Sequence, residues 1–169
     1  QWKLFSSMIL GSVLWMMLAQ AGPETPVMYP NQSVSIGERL IYKITWLGIP
    51  VGKGEIWVKE KIKFKNRDVI HVMGVVETNK VLSKVYPLHD EAHSWMDGES
   101  LESLQFEKKI DELKMKTHER MRFDRSEGKG YLEILNSGQK KGFEVQVPVH
   151  DVLSAVFWAR RQRLLPGQS

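Results

Sequence analysis

The chain of 169 residues contains no cysteine. Disulfide frameworks, cysteine-ligated zinc, iron–sulfur clusters, thiol nucleophiles and a lipidated lipobox cysteine are therefore excluded, which leaves oxygen and imidazole chemistry. Charge of one sign is not in large excess either: 24 basic residues are interspersed with 20 acidic ones, for a net charge of +4 and a pI near 9.2. No polybasic arm results, and nucleic acid is not expected as a partner. Internal repeats, low-complexity tracts and, beyond the N-terminus, long apolar runs are all missing. At 42% hydrophobic and 26% charged residues, the remainder reads as one soluble domain.

Residues 1–21 stand apart. Lys3 is their one charge, Leu4 to Leu18 form an apolar run softened by Ser6, Ser7, Gly11 and Ser12, and Ala19-Gln20-Ala21 supplies a small-residue cleavage pattern. This is the layout of a secretory signal peptide, and cleavage after Ala21 is expected. A retained anchor is the alternative, but a spanning helix needs roughly 20 continuous apolar residues. Residues 22–37, with Pro23, Pro26, Pro30 and Gly37, lack a hydrophobic period and read as an extended lead-in. A single β-rich domain is expected over 38–169. Because the chain starts at Gln1 and stops at Gly167-Gln168-Ser169 directly after an apolar helix, it reads as a fragment whose fold lacks later strands.

From Arg39 onward the dominant period is two. Leu40, Tyr42, Ile44 and Trp46 share one parity, as in a strand with one buried face, and Ile56 and Val58 resume the alternation after Gly48-Ile49-Pro50-Val51-Gly52. That reads as a β-hairpin. Val69–Val76 is apolar on both parities except at His71 and Gly74, Val85–Asp97 is a further extended candidate, and Asp97-Gly98-Glu99-Ser100 has the composition of a tight turn. Alternating runs follow at Leu104–Lys108, Leu113–Asp124, Tyr131–Leu135 and Phe143–Val147. Within Leu113–Asp124, Lys114, Lys116, His118, Arg120 and Arg122 share one parity; a helix would scatter them, whereas a strand collects them on one face. Asp151 is placed to cap a helix over Val152–Leu165, with Leu153, Val156, Phe157 and Arg160 at helical spacing. The expected fold is mainly β: a curved antiparallel sheet forming an open or incomplete barrel or roll, with one capping helix.

Catalytic and metal chemistry find little support. His89, Glu91 and His93 would share a strand face with successive side chains roughly 6.6 Å apart, too far for the two imidazoles to meet one ion. The H-E-x-x-H order is absent, no G-x-S-x-G occurs, and His150, Asp151 and Ser154 are sequence neighbours that need not converge. Gly48 to Lys53 has three residues between its glycines where a phosphate loop needs four. No catalytic residue, metal or cofactor is expected. The basic strand face, extended by Lys59, Lys61, Lys63 and Lys65, offers anionic lipid headgroups or glycan phosphates a contact surface, although Glu107, Asp111, Glu112 and Glu119 lie near enough to neutralise it. Tyr42, Trp46, Trp57, Trp95, Phe106 and Trp158 either line a lipophilic pocket or fill the core.

The order of these features resembles the bacterial envelope family known as domain of unknown function 3108. The matching segments are Leu40-Ile41-Tyr42, Trp46 through Gly52 with Gly48 and Gly52, Tyr86-Pro87-Leu88-His89-Asp90, and Ser94-Trp95-Met96-Asp97. They continue with Phe123-Asp124, the helix from Asp151 to Arg160, and Pro166-Gly167. The resemblance implies an exported, mostly antiparallel protein of the periplasm or outer envelope of a Gram-negative-type bacterium, peripheral to the membrane at most once its signal is removed. The leading expectation is a non-enzymatic module that binds lipid or another amphipathic ligand through Tyr42, Trp46, Trp95, Lys114, Lys116, Arg120 and Arg122. The alternative is an assembly factor pairing its strand edges with another envelope protein. Gly48, Gly52, Asp90, Asp97, Asp151 and Arg160 are read as structural, with Asp90 bonding backbone or a basic neighbour and Arg160 pairing with Asp90 or Asp97.

Overall fold

The computed structural model describes residues 34–64 and 66–162. The expected signal peptide over 1–21, residues 22–33 of the expected lead-in, Lys65 and residues 163–169 lie outside the described residues. Eight strands follow one another in an antiparallel meander whose spatial order equals their sequence order. They are β1 (Arg39–Trp46), β2 (Ile49–Phe64), β3 (Arg67–Thr78), β4 (His89–Asp97), β5 (Ser103–Glu112), β6 (Met115–Asp124), β7 (Lys129–Ile134) and β8 (Gln139–Glu144), followed by the helix α1 (Val152–Arg161). Strands β1 and β8 do not pair with each other, so among the described residues the sheet stays open, with β1 and β8 as its edge strands.

Residues paired across strands lie on the same face. One continuous row runs Leu40, Ile56, Gly74, Ala92, Lys108, Glu119, Ile134, Gln139 on the face that α1 covers. Its neighbour on the outer face runs Arg39, Trp57, Met73, His93, Glu107, Arg120, Glu133, Lys140. The inner row is apolar through β4 and mixed beyond it, and α1 packs on β3 and β4. Val58, Val72, Met96, Leu101, Leu153 and Phe157 are the buried centre of the resulting core. Each fully buried side chain of this kind contributes about 1.5–3 kcal/mol. Leu153 reaches the sheet at Gly74, where a Cβ would stand 2.8 Å from its Cδ2, so a larger residue there would force the Leu153 side chain to shift.

The helix is latched by a buried polar network. Asp151 Oδ1 accepts hydrogen bonds from the Leu153 and Ser154 amides at 2.8 and 3.0 Å, which makes it an N-cap. Its Oδ2 accepts from Ser94 on β4 at 2.6 Å and Ser103 on β5 at 2.5 Å. One carboxylate thus satisfies two orphan helix amides and two buried hydroxyls, tying α1 to the middle of the sheet.

Several sequence expectations need adjusting. The first hairpin turns at Leu47-Gly48, both with positive φ, and Gly48-Ile49-Pro50-Val51-Gly52 largely belongs to β2. Gly48 relaxes the second of these positions, and Gly52 is needed because a Cβ would collide with the Glu77 carbonyl. At the register shift between Ile44 and Thr45, Val51 of β2 is left without a partner on β1. Trp46, the last residue of β1 beside the turn, is exposed where its parity predicted burial. Val85–Asp97 is not extended throughout: a 3₁₀ turn at Leu82–Lys84 precedes it and β4 starts at His89.

Candidate functional site

The predicted ligand-binding residues do not converge. Tyr42 is half-buried on the inner face of β1, and burial pushes its hydroxyl above the ordinary range. Trp46 sits exposed at the tip of the first hairpin. Trp95 lies on the outer face, stacked on His71 with ring centroids 4.7 Å apart and planes 3° from parallel. Lys114 falls in the turn before β6, while Lys116, Arg120 and Arg122 share the outer face with His118, as the alternation predicted. Lys59, Lys61 and Lys63 do not extend that basic face, because β3, β4 and β5 intervene: Lys59 covers the Trp57 ring, and Lys61 and Lys63 both pair with Asp68.

Acidic neighbours neutralise part of the strip. Lys116 meets Asp111 at 3.1 Å, and Glu107 receives both Arg120 Nε at 2.8 Å and His118 Nε2 at 2.6 Å. Burial tends to raise the Glu107 pKa, but hydrogen bonds from Arg120 and His118 outweigh it and hold the group below its usual value. Arg122 is the looser member, 3.9 Å from Glu133, which Lys140 approaches at 3.1 Å.

Arg122 leads into an open cleft of about 700 Å³ along β6, β7 and β8. Leu104, Phe123, Tyr131 and Leu132 contribute apolar surface, while Arg67, Arg122, Lys140 and Lys141 bring cations to it. Among the described residues, Arg67 and Lys141 make no ion pair. Arg125 forms one wall and is fixed there: it binds Asp97 at 3.1 Å, Ser100 at 3.2 Å and Glu102, joining the β4–β5 and β6–β7 turns. Asp97 is ionised in this setting, since the Ser100 and Glu99 amides and Arg125 together overcome the upward push of burial. Of the predicted ligand-binding residues only Arg122 lines the cleft; the rest of the lining comes from Arg67, Leu104 and three short runs on β6, β7 and β8 that strand register brings together.

Two further clusters carry titratable groups. On the outer face, His71 Nε2 lies 2.9 Å from His93 Nδ1, His93 Nε2 donates to Glu91 at 2.7 Å, and Glu60 stands 3.4 Å from His71 Nδ1. Only one proton fits between the two imidazoles, and burial, aided by His93, lowers the His71 pKa despite Glu60. His89 and His93 do share a face as expected, but the partner of His93 is a residue 22 positions away. On the inner face, Asp90 accepts the Asp111 amide at 3.0 Å, as its structural reading required, and neighbours Glu112, which accepts from the Tyr86 hydroxyl at 3.1 Å. Burial, with the Glu112 charge adding to it, raises the Asp90 pKa to about 6.

Arg160 forms an ion pair, but with Glu38 at 2.7 Å and not with Asp90 or Asp97; Asp97 is taken by Arg125. His150, Asp151 and Ser154 form no relay: His150 Nδ1 faces the Leu101 carbonyl at 3.2 Å, and Ser154 Oγ donates to the Asp151 carbonyl at 3.1 Å.

Comparison with known proteins gives one match. The family model described as "Protein of unknown function (DUF3108)" covers residues 41–169. No curated protein and no solved structure matches the chain.

Proposed function

The chain belongs to the DUF3108 family, and we propose that it serves as a non-enzymatic binding module for an anionic amphiphile, a lipid or lipid-like molecule of the bacterial envelope. The observation that carries this reading is the cleft along β6–β8, where Leu104, Phe123 and Leu132 stand beside Arg67, Arg122 and Lys141. An apolar wall with a few convergent charges is the usual chemistry of a small-molecule site. An acyl chain would lie on the apolar wall, and an anionic headgroup would meet the cations at the rim. Arg67 and Lys141, free of acidic partners among the described residues, are the first candidates for the headgroup.

Two observations weigh against the competing readings. The hydroxyls of Ser94, Ser103 and Ser154, the serines gathered at the Asp151 carboxylate and carbonyl, already donate within the buried latch, which supports a binding role over hydrolysis. Assembly by strand addition at β8 would have to overcome Lys140 and Lys141 on a six-residue edge, a pattern that discourages edge pairing.

The test is calorimetric titration of the full chain with dodecyl phosphate, below its micelle threshold, against the uncharged dodecyl maltoside. Dodecyl phosphate is expected to bind, with Arg122→Glu plus Lys141→Glu weakening it by roughly tenfold, since about 1.4 kcal/mol lost from two rim charges is a factor of ten. Equal binding of both detergents, or equal binding by the double variant, contradicts the reading.

A further inference from the structure

The two ends of the sheet differ in what they show to solvent. At one end the β2–β3, β4–β5 and β6–β7 turns carry mostly polar and charged residues, including Asn66, Asp97, Glu99 and Ser126. The other end gathers the β1–β2 turn, the long β3–β4 connection and the β5–β6 turn, and these expose large apolar side chains. Leu47 is 87% exposed, Val85 79%, Val81 78% and Trp46 61%, with Ile49 and Leu113 beside them.

These three connections form one surface. Asn79 donates to the Pro50 carbonyl at 2.6 Å through its side chain and to the Val51 carbonyl at 2.9 Å through its amide, fastening the β3–β4 connection to the first hairpin. The Leu113 amide donates to the Pro87 carbonyl at 3.1 Å, and Leu88 bridges to Glu112, fastening the same connection to the β5–β6 turn. Lys80, Lys84 and Lys114 stand among the exposed apolar residues and form no ion pair with a described residue.

Backbone conformation points the same way. Leu47 has φ 49° and Leu113 φ 44°, the left-handed region that favours glycine, asparagine and aspartate. In the first hairpin the residue before Gly48 is the position where asparagine makes the preferred two-residue turn. Both turns carry leucine instead; Leu47 is almost wholly exposed and Leu113 half exposed, so packing against the described residues does not account for them.

We propose that this end of the sheet is a membrane-docking surface: Leu47, Leu113, Val81, Val85 and Trp46 enter the interfacial region of a bilayer while Lys80, Lys84 and Lys114 meet anionic lipid headgroups. The chemistry fits, because clustered apolar side chains supply burial in the acyl boundary, tryptophan favours the headgroup level, and free lysines are drawn to a negative surface potential. The surface is separate from the β6–β8 cleft and stands independently of what that cleft binds.

The backbone strain supplies a variant that keeps the fold. Leu47→Asn and Leu113→Asn place a residue suited to left-handed φ at each turn, so the double variant is expected to melt no lower than the parent. Co-sedimentation of the full chain with phosphatidylethanolamine–phosphatidylglycerol vesicles, against phosphatidylcholine vesicles, is the measurement. The parent is expected to prefer the anionic vesicles, and the double variant to lose roughly tenfold in affinity. Lys80→Glu with Lys84→Glu should remove the preference for anionic lipid. Binding that is unchanged in the leucine variant, as it would be if residues 4–18 or another surface did the work, overturns the proposal. So does a parent that ignores both vesicles yet self-associates through these residues.

Discussion

The first four strands and the last four use the same sheet differently. Over β1–β4 the inner face is roofed by α1, and Val58, Val72, Ala92 and Met96 are buried beneath or beside it. Over β6–β8 the inner-face residues Met121, Phe123, Leu132, Ile134 and Phe143 are only partly buried, and α1 packs on β3 and β4. The contrast separates two tasks. Among the described residues the roofed half holds the most deeply buried side chains, and the proposed function assigns the partly buried apolar surface of the other half, with the cations beside it, to a ligand.

The largest effect should come from cutting the latch between the halves. Asp151→Ala removes the helix cap and strands the buried hydroxyls of Ser94 and Ser103, for a loss of about 3–5 kcal/mol in urea unfolding. A loss under about 1 kcal/mol would show that the helix is held by apolar contact alone. Next comes a matched pair of truncations. Leu153→Ala, in the roofed half and 1% exposed, should cost about 3 kcal/mol, and Leu132→Ala, in the unroofed half, about 1 kcal/mol. Equal losses would erase the distinction between the halves.

Asp90 sharpens the comparison through pH. Its folded pKa of about 6 lies above the ordinary 3.8, so the folded state binds the proton more tightly than the unfolded chain. The resulting stability is fully present below pH 3.8 and is lost as pH rises through about 6. Asp90→Asn should therefore be more stable than the parent at neutral pH, by on the order of 2 kcal/mol, with the gain vanishing in acid. A thermal melt series across pH checks the sign. His71, with its lowered pKa, works in the other direction: its contribution is present above its unfolded value of 6.5 and lost as pH falls through the folded one. The smallest effect is expected on the outer face, where Lys116→Ala breaks an exposed pair with Asp111 and should change stability by less than about 0.5 kcal/mol.

Local pattern made much of this architecture legible. The alternation over Leu113–Asp124 predicted β6 and the face that Lys116, His118, Arg120 and Arg122 share, although Lys114 falls in the turn, and Asp151 followed by Leu153, Val156 and Phe157 predicted the capped helix. Trp46 shares the parity of buried Ile44 yet is exposed because it ends β1 beside the hairpin turn, a position that alternation does not mark. What else stayed hidden depends on register. The pairings of His71 with His93, of Asp151 with Ser94 and Ser103, and of Arg160 with Glu38 span 22 to 122 residues, and no local periodicity encodes such distances. The cleft is hidden for the same reason: Arg67, Arg122 and Lys141 meet only after β3, β6 and β8 are in register. The left-handed leucines were equally unreadable, since the sequence around Leu113 does not announce a turn that needs positive φ.

Amide hydrogen exchange with and without dodecyl phosphate tests most directly the claim that the unroofed half is the binding half. The account predicts added protection confined to β6, β7 and β8 and the turns bordering the cleft, with α1 and β2–β4 unchanged. Protection concentrated beneath α1, around Gly74 and Leu153, or none anywhere, would contradict it.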